Sequence, residues 1–200
     1  MTTREAPDAR LSAQGMALAE FMALDGKVEL IDGQVIQHMP NPHLHSLMIR
    51  ILFRLLDSFL SRANGAYEVF AETTFVLPDA PNTGWVKGAR IPDLMLVEKQ
   101  VYVAWLTKGQ SDHMPLAVIP DLVVEVLSEN DTYSAVTHKV EVYLADGVKR
   151  VWLVDPQNKR ITVHSLDGDT PRTLKGDDAL TDALLDGFST TPDAVFAALG

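Results

Sequence analysis

Apolar residues recur at spacings of three and four between residues 42 and 62: Leu44, Leu47, Met48, Ile51, Leu52, Leu55, Leu56 and Phe59. One continuous apolar face of that kind predicts an amphipathic helix lying on a sheet. Asn41 suits its N-cap and Pro42 its first position. Upstream, Val28-Glu29-Leu30-Ile31 and Gln34-Val35-Ile36 flank Asp32-Gly33, the pattern of a hairpin. A shorter helix is expected over residues 12–23. Residues 67–77 and 91–97 read as strands, and residues 101–106 as a short extra one. Residues 78–88, rich in Pro, Asn and Gly, and residues 110–113 read as loops.

In the second half, residues 122–127 are apolar except for Glu125, as expected of a central strand covered on both faces. Asp131 suits the cap of a helix reaching about residue 145, with Val136, Val140 and Tyr143 as its apolar stripe and Gly147 as its stop. Residues 148–154 and 161–166 read as strands around the turn Asp155-Pro156-Gln157-Asn158, and a short helix is expected near Ala194. A helical crossover joins the strands at 122–127 and 148–154, so those two are expected to be parallel. The whole predicts an α/β (α+β) domain, a mixed and mainly antiparallel sheet flanked by the helices at 42–62 and 131–146. Residues 1–11 read as a frayed leader and residues 12–200 as a single domain.

Composition narrows the function classes. The chain is 46% hydrophobic, enough for a real core, and has no cysteine, which removes disulfides and thiolate metal sites. No apolar run is long enough for a membrane span, and the first residues lack the apolar core of a signal peptide, so a cytoplasmic protein is the simplest account. The formal charge of −10 argues against a broad basic platform for nucleic acid, though not against local contact with it.

Glu125 carries the strongest chemical signal. An ionised carboxylate among Val and Leu costs several kcal/mol unless a cation pairs with it. Lys139, three residues after Val136 and four before Tyr143, lies on the inward side of the following helix and is the natural basic partner. Asp93, after Arg90-Ile91-Pro92, opens another strand. If the two strands are neighbours, Asp93 and Glu125 point to one spot. Two carboxylates with the Val126 carbonyl suit Mg²⁺ or Mn²⁺, which prefer hard oxygen donors and keep several waters. Beside such an ion, the Lys139 ammonium is placed to orient water and stabilise phosphoryl charge. Spacing alone fits a buried structural ion pair equally well.

The same residues resemble the Uma-two family of restriction-endonuclease-like proteins, in the PD-(D/E)XK nuclease superfamily. The resemblance runs from about residue 12 to about residue 190. It is carried by Val28-Glu29-Leu30-Ile31-Asp32-Gly33, His45, Arg90-Ile91-Pro92-Asp93, Pro120-Asp121-Leu122-Val123-Val124-Glu125-Val126-Leu127-Ser128, Asp131 with Lys139 and Tyr143, and Gly147-Val148 with Val151-Trp152-Leu153-Val154-Asp155-Pro156. It implies a Mg²⁺- or Mn²⁺-dependent endonuclease acting on DNA, with Asp93 as the motif aspartate and Glu125 as the second acidic ligand. The usual lysine position, two residues after that acid, is Leu127 here, and Lys139 takes its place. The resemblance also implies that Glu29 joins the acidic cluster. A rival reading is an idle nuclease fold serving as a binding or assembly module. A third is a metal-dependent hydrolase of another substrate.

Other residues have narrower readings. His45, in the first turn of the long helix and off its apolar stripe, is a candidate for phosphate contact or proton transfer, or else a histidine at the core edge. His43 reads as solvated, and His38 and His113 carry no distinguishing signal. Arg90 is a candidate for the substrate phosphate, with Lys87, Lys99 and Lys108 as a basic rim. Tyr143 is expected beside Lys139 with its hydroxyl toward the site. Asp121 and Asp155 read as strand-opening and turn residues, Trp152 as core, and Glu72 as structural. A homodimer would suit the cutting of two DNA strands.

Overall fold

Two sheets meet where the candidate residues lie. In the computed structural model, the described residues are 15–40, 42–63, 65–78, 84–108 and 113–199. The leader over residues 1–11, the Asn41 cap and most of the 110–113 loop fall outside them. In chain order come β1 (Met16–Ala17), α1 (Leu18–Met22), β2 (Val28–Ile31), β3 (Gln34–Gln37), α2 (His43–Arg62), β4 (Tyr67–Ala71), β5 (Phe75–Pro78) and β6 (Trp85–Arg90). Then follow β7 (Leu94–Glu98), α3 (Lys99–Leu106), β8 (Leu122–Val126), α4 (Tyr133–Asp146), β9 (Arg150–Asp155), β10 (Arg160–Ser165), β11 (Arg172–Lys175) and α5 (Pro192–Ala197).

The larger sheet has six strands in the order β11-β10-β9-β8-β7-β4. Its β8–β9 pair is parallel, as the crossover through α4 requires, and its other pairs are antiparallel. The alternation of β7 and β8 divides the core. Leu94, Leu96, Leu122, Val124 and Val126 pack with Met48, Leu52 and Leu56 of α2. On the opposite face Met95, Val97 and Val123 pack with Val140 and Tyr143 of α4. The smaller, five-stranded sheet runs β1-β6-β2-β3, with β5 also on β6.

Several expectations are corrected by packing. The single sheet is two sheets, because the strand expected over 67–77 breaks at Glu72, whose φ of 47° is left-handed; β4 then joins the larger sheet and β5 the smaller. Part of the loop expected over 78–88 is strand β6. Gly88 is not loop punctuation there: a Cβ on it would lie 2.6 Å from Arg90 Nη1, so the glycine makes room for a guanidinium. Strand β7 starts at Leu94 rather than residue 91, since Pro92 has no N–H and the Ile91 N–H goes to the Glu29 side chain. Residues 101–106 form part of helix α3, which buries Trp105 and stacks it on Tyr102, ring centroids 6.2 Å apart. Of the expected first helix, residues 12–14 lie outside the described residues, Met16 and Ala17 pair with β6, and α1 holds Leu18–Met22. Leu44, assigned to the apolar face of α2, is exposed.

Helix α2 begins after Pro42, which is its N-cap rather than its first residue. Thr132, not Asp131, caps α4: its side chain accepts the Ala135 N–H at 3.3 Å, while Asp131 accepts the Ser128 N–H at 2.7 Å. Gly147 ends α4 in the left-handed region, φ 101°, where a side chain would be strained. Among the described residues no helix is long and apolar enough to cross a membrane.

Candidate active site

Strand register brings the two carboxylates together. Leu94 pairs with Val124, so Asp93 and Glu125 are the next residues along an antiparallel pair and lie opposite each other. Both are buried and line one cavity of about 480 Å³. Asp93 Oδ2 accepts the Val126 N–H at 2.7 Å, and Oδ1 lies 2.9 Å from His45 Nε2, delivered by the first turn of α2. Position and orientation of this carboxylate are thus fixed from both sides.

Glu125 is held from α4. Lys139 Nζ donates to Oε2 at 2.7 Å and the Tyr143 hydroxyl donates to Oε1 at 2.5 Å. Tyr143 is wholly buried, so it reaches the site only through Glu125. Lys139 keeps 30% side-chain exposure and lines the cavity. Burial pushes the Glu125 carboxyl up to about 7, with Asp93 adding to the rise and Lys139 and Tyr143 opposing it. Burial works against the Lys139 ammonium, but Glu125, Glu29 and Asp93 outweigh it and hold the lysine firmly protonated. The same burial and carboxylates drive the Tyr143 hydroxyl well above its ordinary range.

The smaller sheet supplies the third acid. Glu29 on β2 is buried and faces the same cavity. Its Oε1 accepts the Ile91 N–H at 2.7 Å, which fixes the chain just ahead of Asp93, and its Oε2 lies 2.6 Å from His38 Nε2. Burial raises the Glu29 carboxyl, but His38, Lys139 and the Ile91 N–H together bring it below the usual range.

His38 is the residue that sequence reading missed. Its signal lies in the hairpin register: Glu29 pairs with Ile36, and His38 follows two residues later on the same face as Ile36. Arg90 is elsewhere than expected. It is buried, its Nη1 donates to the Leu30 and Ala89 carbonyls, and its Nε lies 2.9 Å from Asp146 Oδ2. It does not line the cavity, and neither do Lys87, Lys99 or Lys108. Asp121 pairs with Lys149 at 2.9 Å, away from the cavity. Asp155 accepts the Asn158 N–H at 3.0 Å as a turn former, and Trp152 is core.

Three buried carboxylates and the exposed Asp131 line one cavity with two lysines, Lys27 and Lys139, which leaves an excess of negative charge there. Among the described residues no three acidic or histidine side chains converge closely enough to hold a metal ion between them. The donor set still fits a hard divalent cation: Asp93 and Glu125 offer two facing carboxylates, and such ions take much of their coordination from water.

A family model described as Uma2, "Putative restriction endonuclease", matches residues 18–194. The chain is also similar to a crystal structure described as a putative nuclease belonging to DUF820 from Anabaena variabilis ATCC 29413. That likeness has a TM-score of 0.70 and 19% sequence identity, and covers 92% of this chain and 99% of the other. It shows a shared fold. No curated protein matches the chain.

Proposed function

The chain belongs to the Uma2 family of restriction-endonuclease-like proteins, and from that premise we propose that it is a Mg²⁺- or Mn²⁺-dependent endonuclease hydrolysing DNA phosphodiester bonds. The observation that carries the reading is the convergence of Asp93, Glu125, Glu29 and Lys139 on one open cavity. Asp93 and Glu125 would hold the cation, with the Val126 carbonyl as a further oxygen. A cation bound there supplies Lewis-acid polarisation of the phosphoryl group and offsets the charge of the buried acids.

The protein's own groups do the positioning. His45 and the Val126 N–H clamp the two oxygens of Asp93, and Tyr143 with Lys139 clamps those of Glu125. Because Lys139 stays protonated, it acts as a donor and not as a base: it orients the attacking water and stabilises charge on a phosphoryl oxygen. Lysine at position 139 reaches Glu125 from α4, which is the physical reason Leu127 can occupy the place two residues after that acid. A homodimer would present two such cavities to a duplex.

Calorimetric titration with Mn²⁺ tests the cation site. Binding by the wild type, weakened at least about tenfold in Asp93→Asn and in Glu125→Gln, is the expected result. Absence of binding would favour the second reading, an idle nuclease fold acting as a binding module, which the net charge of −10 and Leu127 at the usual lysine position both favour.

A further inference from the structure

Two imidazole–carboxylate pairs flank the cavity, and they differ in what the second ring nitrogen can reach. His45 has 11% side-chain exposure, and its Nδ1 is buried with no hydrogen-bond partner. With Nε2 committed to Asp93, it has no route for handing a proton outward. His38 keeps 33% exposure on the cavity wall. Its Nε2 is committed to Glu29 at 2.6 Å, and its Nδ1 is neither buried nor engaged among the described residues. A carboxylate holding one ring nitrogen while the other faces the reacting group is the arrangement that suits an imidazole for proton transfer.

We propose that His38, oriented by Glu29, is the general acid that protonates the leaving oxygen when the phosphodiester is cleaved. The proposal rests on the hydrolytic reading above. It moves the proton-transfer role considered for His45 onto His38, and makes Glu29 a positioning residue, since it acts through the His38 ring and the Ile91 N–H that it holds. In the step, the water oxygen forms a bond to phosphorus and the bond from phosphorus to the leaving oxygen breaks, its electron pair staying on that oxygen. The leaving oxygen takes the Nδ1 proton of the His38 imidazolium. The proton of the attacking water passes to solvent at the cavity mouth, and solvent then reprotonates His38. Lys139, beside Glu125, remains protonated throughout.

A leaving-group comparison tests this. Wild type, His38→Gln and Glu29→Gln are assayed with Mn²⁺ on duplex DNA, whose alkoxide leaving group needs a proton, and on bis(p-nitrophenyl) phosphate, whose nitrophenolate does not. His38→Gln is expected to lose about 100-fold in kcat on DNA and little on the aryl ester. Equal losses on both substrates would overturn the role of His38 and leave the nuclease reading standing. Failure of the wild type to cleave either would remove both. Independently of turnover, the metal-free wild type should show a downfield, slowly exchanging His38 Nε2–H proton by NMR that disappears in Glu29→Gln. Its absence from the wild type would overturn the pairing.

Discussion

Lys139 Nζ lies 2.7 Å from Glu125 Oε2 across the gap between α4 and β8, joining a cavity-lining lysine of α4 to the one charged position of a buried central strand. Removing the cation leaves the carboxylate without its charge partner. Breaking a fully buried pair costs about 3–5 kcal/mol, and the partial exposure of Lys139 lowers the expectation to roughly 2 kcal/mol. Urea denaturation of metal-free Lys139→Met at pH 8 should show that loss. An unchanged midpoint would mean that Glu125 does not need this lysine.

Tyr143→Phe deletes only the hydroxyl that donates to Glu125 Oε1 at 2.5 Å. Tyr143 is wholly buried, so water does not replace the donor, and the expected loss is about 1–3 kcal/mol. Because Tyr143 does not reach the cavity surface, KM for DNA should hold while kcat falls. A rise in KM with kcat unchanged would instead place the hydroxyl against substrate.

Stability of the metal-free protein should fall as pH rises from about 4.5 to about 7. Burial raises the Glu125 carboxyl from its ordinary 4.5 to about 7, so in that window the folded state retains a proton that the unfolded chain has released. The sign is therefore a penalty that is absent at low pH and complete above 7. Asp155 works the other way: burial raises it, but Asn158 and Arg160 prevail and hold it below 3.8. Its contribution is present above 3.8 and lost as pH falls through the folded value. Thermal midpoints in chelator across this range, compared with Glu125→Gln, check the first slope, and midpoints below pH 3.8, compared with Asp155→Asn, check the second.

Arg90 should matter to folding and not to substrate affinity. It ties β6 to the C-terminal end of α4 through Asp146 and to β2 through the Leu30 carbonyl. Lysine cannot reproduce the fork, and Arg90→Lys should cost about 2–4 kcal/mol while KM for DNA stays within about twofold in the protein that remains folded. A selective rise in KM would restore Arg90 to the substrate.

The order of residues made the central pieces legible for different physical reasons. Glu125 stood out because a charge interrupted an apolar strand, and Lys139 because it shared a helical face with Val136 and Tyr143. Asp93 followed from strand adjacency, which β7 and β8 realise. What escaped depended on tertiary packing. Nothing local marks Glu72 as the left-handed break that sends β4 and β5 to different sheets. Gly88 imitates a loop residue until the guanidinium beside it is in place. The alternation of Val101, Val103 and Trp105 imitates a strand, and only packing of Tyr102 and Trp105 as one helical face decides for α3. His38 needed the hairpin register to acquire its partner.

Cleavage of plasmid, linear and single-stranded DNA with Mg²⁺ or Mn²⁺, by wild type, Glu125→Ala and Lys139→Ala purified in parallel, tests the central claim most directly. The account predicts metal-dependent cleavage by the wild type that falls at least about 100-fold in each variant. Cleavage that persists undiminished in both variants, or that continues unchanged in chelator, would contradict it.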